Sequence, residues 1–228
     1  MIKEIMVAGI KLNNYSVLEN LTRIVKNLEA NVFTTIEDVY MKTILLAKED
    51  ESVKEALESI DVTVIAEAGV LDAIGQATIL RRAEIERREF FFQFMKILER
   101  NGYTVCILGA EEKEIEEAGQ YIANEFSRVR VIGSMVLSGA EGEDGVVNDI
   151  NMLAPDVIIS VLPSPLQEKF VTDYKAMLLT KIWYGVGAGR IAGAGLTFKT
   201  KILKFFRKHM LKKYVQEDMV EEGVESRE

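Results

Sequence analysis

The sequence predicts an α/β fold: a mostly parallel sheet, helices on both of its faces, and a basic amphipathic helix at the C-terminus. Three observations lead there. Short apolar runs alternate with stretches of helical period from residue 4 to residue 187. The strand-like runs are apolar throughout, which suits strands covered on both sides. Beyond residue 195, seven Lys and Arg gather in "FKTKILKFFRKHMLKKY", in a chain of net charge −8.

The elements follow in order. "EIMVAGI" reads as a strand, and "SVLENLTRIVKNL" has helical spacing at Val17, Leu18, Leu21, Ile24, Val25 and Leu28. "NVFTTI" is a second strand, followed by one or two helices in "IEDVYMKTILLAKEDESVKEALESI". "DVTVIAEAG" is a third strand. "RREFFFQFMKILERNG" is a helix stopped at Gly102, because glycine accepts the left-handed backbone of a C-cap. "YTVCILGA" is a fourth strand. "EEKEIEEAGQYIANEF" is a helix with acids in its first turn, where they complement the helix dipole. "VRVIGSM" is a fifth strand and "GVVNDINML" a short helix. "PDVIISVL", "PLQEKFVTDYKAML" and "TKIWYGVG" complete the alternation as strand, helix and strand. Residues 137–146, "LSGAEGEDGV", read as a mobile loop, and the acidic "QEDMVEEGVESRE" as disordered.

Composition narrows the chemistry. With 228 residues, 48% of them hydrophobic, the chain can bury a substantial core. Its pI of about 5.0 leaves no global basic footprint for nucleic acid. The single cysteine, Cys106, excludes an internal disulfide and a cysteine-cluster metal site, and reads as a buried thiol. The single histidine, His209, leaves acid–base work to carboxylates. No Asp-x-Asp pair is present, so neither metal nor cofactor is expected. No signal-peptide pattern opens the chain and no window holds ~18 uninterrupted apolar residues. A cytoplasmic protein is therefore expected.

All three prolines, Pro155, Pro163 and Pro165, fall within eleven residues. In open α/β sheets ligands sit beyond the carboxyl ends of the strands. "LPSPLQEKF" occupies such a loop. Pro165 suits a first helical turn with Ser164 as its N-cap. Gln167 and Glu168 then lie beside backbone N–H groups that can hold an anion; the alternative is a solvated pair behind a capped helix. Gly185, Gly187, Gly189, Gly193 and Gly195 lack the acidic partner of a dinucleotide fingerprint, and close backbone approach to a ligand is expected near Gly187. In the tail, Phe198, Ile202, Phe205, Phe206, Met210 and Tyr214 share one helical arc. Lys201, Lys204, Arg207, Lys208 and Lys212 lie opposite. That pattern fits an anionic membrane surface, or a helix laid on its own domain or on a partner subunit.

"APDVIISVLPSPLQEKFV" resembles the "pD-x-x-x-v-x-x-G-x-P-x-Q-E-x-w" segment of the WecG/TagA/CpsF glycosyltransferases. Other segments resemble that family in order over roughly residues 2 to 190. "EIMVAGIKLNNYSVLENL" is similar to its opening strand and helix, "NVFTTIEDV" to its "T-x-N" strand end, and "VIAEAGV" to its "A-D-G-x-G" strand end. "GYTVCILGAEEKEIEEAGQYIANEF" with "VRVIGSM" is similar to its central βαβ unit, and "IWYGVGAG" to its "G-V-G" strand. The departures are specific. "T-x-N" reads Thr34-Thr35-Ile36, the aspartate reads Glu67 and its following glycine Ala68. In "AEIERREFF" one register puts Arg87 on the family's arginine and another puts Glu89 on its aspartate. The C-terminal "R-A-P" and "E-W" are absent.

The resemblance implies a Rossmann-like glycosyltransferase-type domain over residues 1–195, followed by the basic helix and acidic tail, 196–228. It implies transfer of an N-acetylmannosamine-like sugar from a UDP-sugar to a polyprenyl-diphosphate-linked acceptor, at the inner face of the cell membrane. Glu67 would be the catalytic base. Thr34, Thr35, Arg87, Gly109, Pro165, Gln167, Glu168 and Gly187 would bind substrate. The membrane would be met through residues 198–214, and a homo-oligomer is left open. The alternative is a catalytically degenerate relative that binds a nucleotide-sugar or acts in assembly.

Overall fold

A computed structural model of the chain describes residues 3–137, 142–191 and 198–225. It opens with an antiparallel hairpin, β1 (Glu4–Val7) and β2 (Ile10–Asn13). Ala8 and Gly9 turn it with positive φ, which corrects the expectation of one strand through "EIMVAGI". Then come α1 (Val17–Glu29), β3 (Thr34–Val39), α2 (Met41–Glu49), α3 (Glu51–Glu58), β4 (Val62–Ile65), α4 (Ala68–Ala73) and α5 (Ile79–Glu86). The second half holds α6 (Glu89–Asn101), β5 (Thr104–Gly109), α7 (Glu112–Glu125), β6 (Arg130–Val136), α8 (Gly142–Leu153), β7 (Val157–Ser160), α9 (Leu166–Tyr174), β8 (Ile182–Gly185) and α10 (Phe198–Glu225). Residues 138–141 of the expected loop lie outside the described residues, and Gly142 already belongs to α8.

Six strands form one parallel sheet in the order β4-β3-β8-β7-β5-β6. The hairpin stands apart from it and ties to β4 through the Asn13 N–H, which donates to the Thr63 hydroxyl at 2.7 Å. Successive strand residues face opposite sides. Ile182 and Tyr184 join one apolar layer with Phe91, Phe94 and Ile115, while Trp183 joins the other with Val147 and Phe170. Both faces are thus filled, as apolar strands require.

A third apolar layer lies beyond β4. The hairpin, α2 and α4 meet α10 there, with Leu211 and Val215 buried among Val7, Ile44 and Leu71. The inner stripe of α10 is Lys204, Lys208, Leu211, Val215 and Asp218, spaced four, three, four and three residues apart, as a helix face must be. Lys204 pairs with Glu67, Lys208 with Asp72, and Lys48 with Asp218. This differs from the expected apolar arc. Phe205 and Phe206 are 70% and 59% exposed, because cations bonded to buried carboxylates occupy the inward side. The side chains of Phe198, Lys201 and Ile202 lie outside the described residues. The acidic tail, expected to be disordered, continues α10 to Glu225. Leu211 is fully buried, so Leu211→Ala is expected to cost about 2–5 kcal/mol in a urea unfolding titration. A cost near zero would show that α10 rests on the body without contributing to its core.

Candidate active site

The carboxyl ends of β3 and β4 open onto a cavity of about 700 Å³, floored by the ends of both strands and walled by α5, α6 and α10. Asp38, the penultimate residue of β3 and only 7% exposed, lines it. Tyr184 of β8 donates its hydroxyl to Asp38 Oδ1 at 2.9 Å, and Tyr40 donates to Oδ2 at 3.5 Å. Burial pushes the Asp38 carboxyl up to about 7; the Tyr184 bond and the nearby Arg88 and Arg190 charges only partly oppose this.

Two cations face it. Arg190 lies over the Tyr40 ring, 4.1 Å from its centre. Arg88 sits at the corner between α5 and α6 with φ +53°, a left-handed backbone rare outside glycine. Its guanidinium stacks over Phe91 and its Nη1 donates to the Ile191 carbonyl at 3.1 Å. Nη2 is buried without a partner.

Glu67 caps α4 directly after β4 and is 8% exposed. Its Oε2 accepts the Met41 N–H at 3.1 Å and its Oε1 pairs with Lys204 at 3.1 Å. One turn further on, Asp72 takes both Arg82 and Lys208.

A smaller cavity of about 80 Å³ adjoins the first and shares Asp38, Tyr40 and Arg190 with it. It is bounded by Pro163, Ser164 and Gln167. Gln167 donates its amide to Glu37 of β3, and Glu168 accepts the Ser164 hydroxyl. Glu37, Gln167 and Glu168 are all buried, with Glu37 Oε2, Gln167 Oε1 and Glu168 Oε2 left unpaired. Burial, reinforced by the Glu168 charge, drives Glu37 well above the usual carboxylate range. Burial raises Glu168 as well. A Cβ on Gly185 would stand 2.3 Å from Glu37 Oε2, so only glycine lets β8 pass this carboxylate.

The expected site residues divide accordingly. Glu67 lines the larger cavity, Gln167 and Gly187 line the smaller one that adjoins it, and Glu168 sits behind the latter, bonded to Ser164. Met41 and Lys42, neighbours in sequence, link the two cavities by bonding Glu67 and the Ser164 carbonyl. Gly187 has φ +88° and lines the smaller cavity. Pro165 is the N-cap of α9, after a cis peptide bond. Ser164, expected as that cap, gives its hydroxyl to Glu168 instead.

Others lie elsewhere. Thr34 and Thr35 open β3 at its amino end and are committed to structure. Thr34 accepts from Asn27 at 3.0 Å, and Thr35 donates its N–H and hydroxyl to Asp61, each at 2.8 Å. The strand runs four residues past Thr35, so the side chains at its carboxyl end are those of Glu37 and Asp38. Arg87 is the exposed C-cap of α5, and its neighbour Arg88 reaches the cavity. Gly109 ends β5 against protein: a Cβ there would meet Ile115 at 2.7 Å and Val161 at 3.0 Å. Gly193 and Gly195 lie outside the described residues.

Asp38, Tyr40, Tyr184, Arg88 and Arg190 escaped the sequence reading. One signal was legible: "IEDV" sets two acids inside a segment otherwise fit to be a buried strand, which demands partners. Among the described residues no group of acidic, histidine or cysteine side chains is arranged to hold a metal ion. A family model described as "Glycosyl transferase WecG/TagA/CpsF family" matches residues 5–195. No curated protein matches the chain.

Proposed function

This chain belongs to the WecG/TagA/CpsF glycosyltransferase family, and on that premise we propose that it moves an N-acetylmannosamine-like sugar from UDP to a polyprenyl-diphosphate-linked acceptor. The family makes it a glycosyltransferase of cell-envelope polysaccharide synthesis, which in general uses a nucleotide-sugar donor and a lipid-linked acceptor. One observation carries the finer reading: a cavity large enough for a sugar nucleotide sets the carboxylates Glu67 and Asp38 among Arg88, Arg190 and Lys204.

Glu67 is the base in this reading. It takes the proton of the acceptor hydroxyl as that oxygen attacks the anomeric carbon. The bond from that carbon to the donor diphosphate breaks, and UDP leaves with the electron pair. Arg88 and Arg190 face the departing diphosphate, and Lys204 joins them when it releases Glu67. Asp38 and Tyr40 take the place expected of Thr34 and Thr35, and Arg88 that of Arg87. Gln167 and the Gly187 turn line the recess for the sugar or the uridine, and Glu168 fixes Ser164 at its edge. α10 packs on the body and walls the cavity, and its exposed side meets the inner face of the membrane in this reading. Among the described residues no helix is long and apolar enough to cross a membrane.

The second reading is a non-catalytic nucleotide-sugar binder. It is favoured by the commitment of both Glu67 oxygens, one to Met41 and one to Lys204. UDP release on mixing the protein with UDP-N-acetylmannosamine and a short-chain lipid acceptor separates the two. Release is expected, with Arg88→Ala and Arg190→Ala each weakening UDP binding by roughly 10-fold. UDP binding without release would assign the binder.

A further inference from the structure

The buried residues of α1 are Asn20, Ile24 and Leu28, four residues apart on one helical face. The first of them is polar. Asn20 is 2% exposed, and its Oδ1 finds no hydrogen-bond partner among the described residues. An unpaired amide oxygen in such a stripe weakens the fold, so packing does not explain it. Its position does. Asn20 lines the large cavity, together with Val17 one turn before it.

Arg81 of α5 lines the same cavity and is 5% exposed. Its Nη1 pairs with Glu84 at 2.5 Å. Its Nη2 donates at 3.4 Å to Asn14, two residues before Ser16, the N-cap of α1. That bond ties α5 to the start of α1. The Nε–H of Arg81 remains, buried and unpaired. This wall of the cavity therefore holds one acceptor and one donor, both buried and neither satisfied by the protein. We infer that Asn20 and Arg81 form a subsite for a secondary amide of the substrate, a group that carries one N–H and one C=O.

The chemistry selects that group. A diphosphate brings only acceptors, which leaves the Asn20 oxygen unpaired, and Glu84 already balances the Arg81 charge. A side-chain amide offers a donor and an acceptor whichever way its end is turned, so Asn20 matches another amide in either orientation. Val17, Ile85 and Phe90 line the cavity as well, and apolar side chains suit the methyl of an acetamido group. The uracil ring carries the same N–H and C=O, so the amide belongs to the sugar or to the base. The inference rests on the proposed nucleotide-sugar donor and names how one part of it is read. It involves neither Glu67 nor the cations placed at the diphosphate.

The test uses the full chain and equilibrium binding, with no turnover required. Calorimetric titrations compare UDP, UDP-N-acetylmannosamine and UDP-mannose, which carries a hydroxyl in place of the acetamido group. The wild type is expected to bind the acetamido sugar roughly 10-fold more tightly than UDP-mannose. Asn20→Leu and the smaller Asn20→Ala should bind the two alike, with UDP affinity unchanged. Asn20→Leu should also raise the thermal unfolding midpoint by roughly 2–4 °C, because it continues the apolar stripe and removes an unpaired amide. If both variants instead weaken UDP itself by that factor while Asn20→Leu still unfolds later, the subsite stands and reads the uracil. Affinities for all three ligands that do not change in the variants would overturn the inference. So would a lowered unfolding midpoint in Asn20→Leu together with weaker binding of every ligand, which would make Asn20 structural. A preference that the variants lose, in a protein that never releases UDP to a lipid acceptor, would uphold the subsite and reject the transferase reading.

Discussion

Glu67→Gln is expected to lower turnover by roughly 100-fold or more while leaving UDP affinity nearly unchanged. The amide oxygen can still accept the Met41 N–H, so the turn between β3 and α2 keeps its shape. The pairing with Lys204 is lost, but that lysine is 44% exposed, and ion pairs so open to water contribute only about 0–1 kcal/mol. What the amide cannot do is take a proton from the acceptor hydroxyl. Initial rates of UDP release and a separate UDP titration decide the matter. An equal fall in binding would make Glu67 a structural cap of α4, and full activity would remove it from the mechanism. Lys204→Met tests the same contact from the other side: freeing Glu67 without moving it should not abolish turnover if the carboxylate is the base.

The second large effect belongs to Asp38. Its carboxyl stands at about 7 in the folded chain against 3.8 in the reference state, a difference equivalent to about 4 kcal/mol. A raised carboxyl favours the folded state fully below pH ~4, where both states hold the proton. Between pH ~4 and ~7 the unfolded chain loses that proton while the folded chain retains it, so stability falls as pH rises. Above pH ~7 both states are ionised and the loss is complete. Asp38→Asn cannot ionise, and its carbonyl still accepts the Tyr184 hydroxyl. Urea titrations at pH 4, 5.5 and 8 should therefore show the mutant gaining on the wild type as pH rises. Glu37 and Glu168 are raised in the same direction, so the mutant-minus-wild-type difference is the quantity to follow. A difference independent of pH would mean that Asp38 titrates as an ordinary carboxylate.

The parts of the fold that depend on local pattern could be read directly. Continuous apolar runs identified the buried strands, and Gly102 does end α6 at φ +69°. The carboxyl-edge rule and "PSPLQE" led to Gln167 and Glu168, and the strand end "VIAE" led to Glu67. The expected hairpin error also has a local cause. Two four-residue strands joined through Ala8 and Gly9 read as one apolar run, because nothing in "VAGI" distinguishes a bend from a bulge.

Strand length and pairing decided the rest. A purely local reading ended β3 at Ile36, since "ED" resembles the polar start of a helix. The strand extends to Val39 because β4 and β8 flank it, giving the backbone at Glu37 partners on both sides and the carboxyls of Glu37 and Asp38 partners in Gln167, Tyr184 and Tyr40. Gln167 lies 130 residues from Glu37 and Tyr184 lies 146 from Asp38, separations that no period along the chain encodes. The face of α10 was settled in the same way. Its cations could have turned to water as a group. Glu67 and Asp72, buried on a neighbouring helix, draw Lys204 and Lys208 inward and leave Phe205 and Phe206 outside. Composition and spacing determined that this chain is a parallel α/β protein with a basic helix. The partners of its buried charges are distant in sequence, and the cost of an unpaired buried charge made the tertiary structure their arbiter.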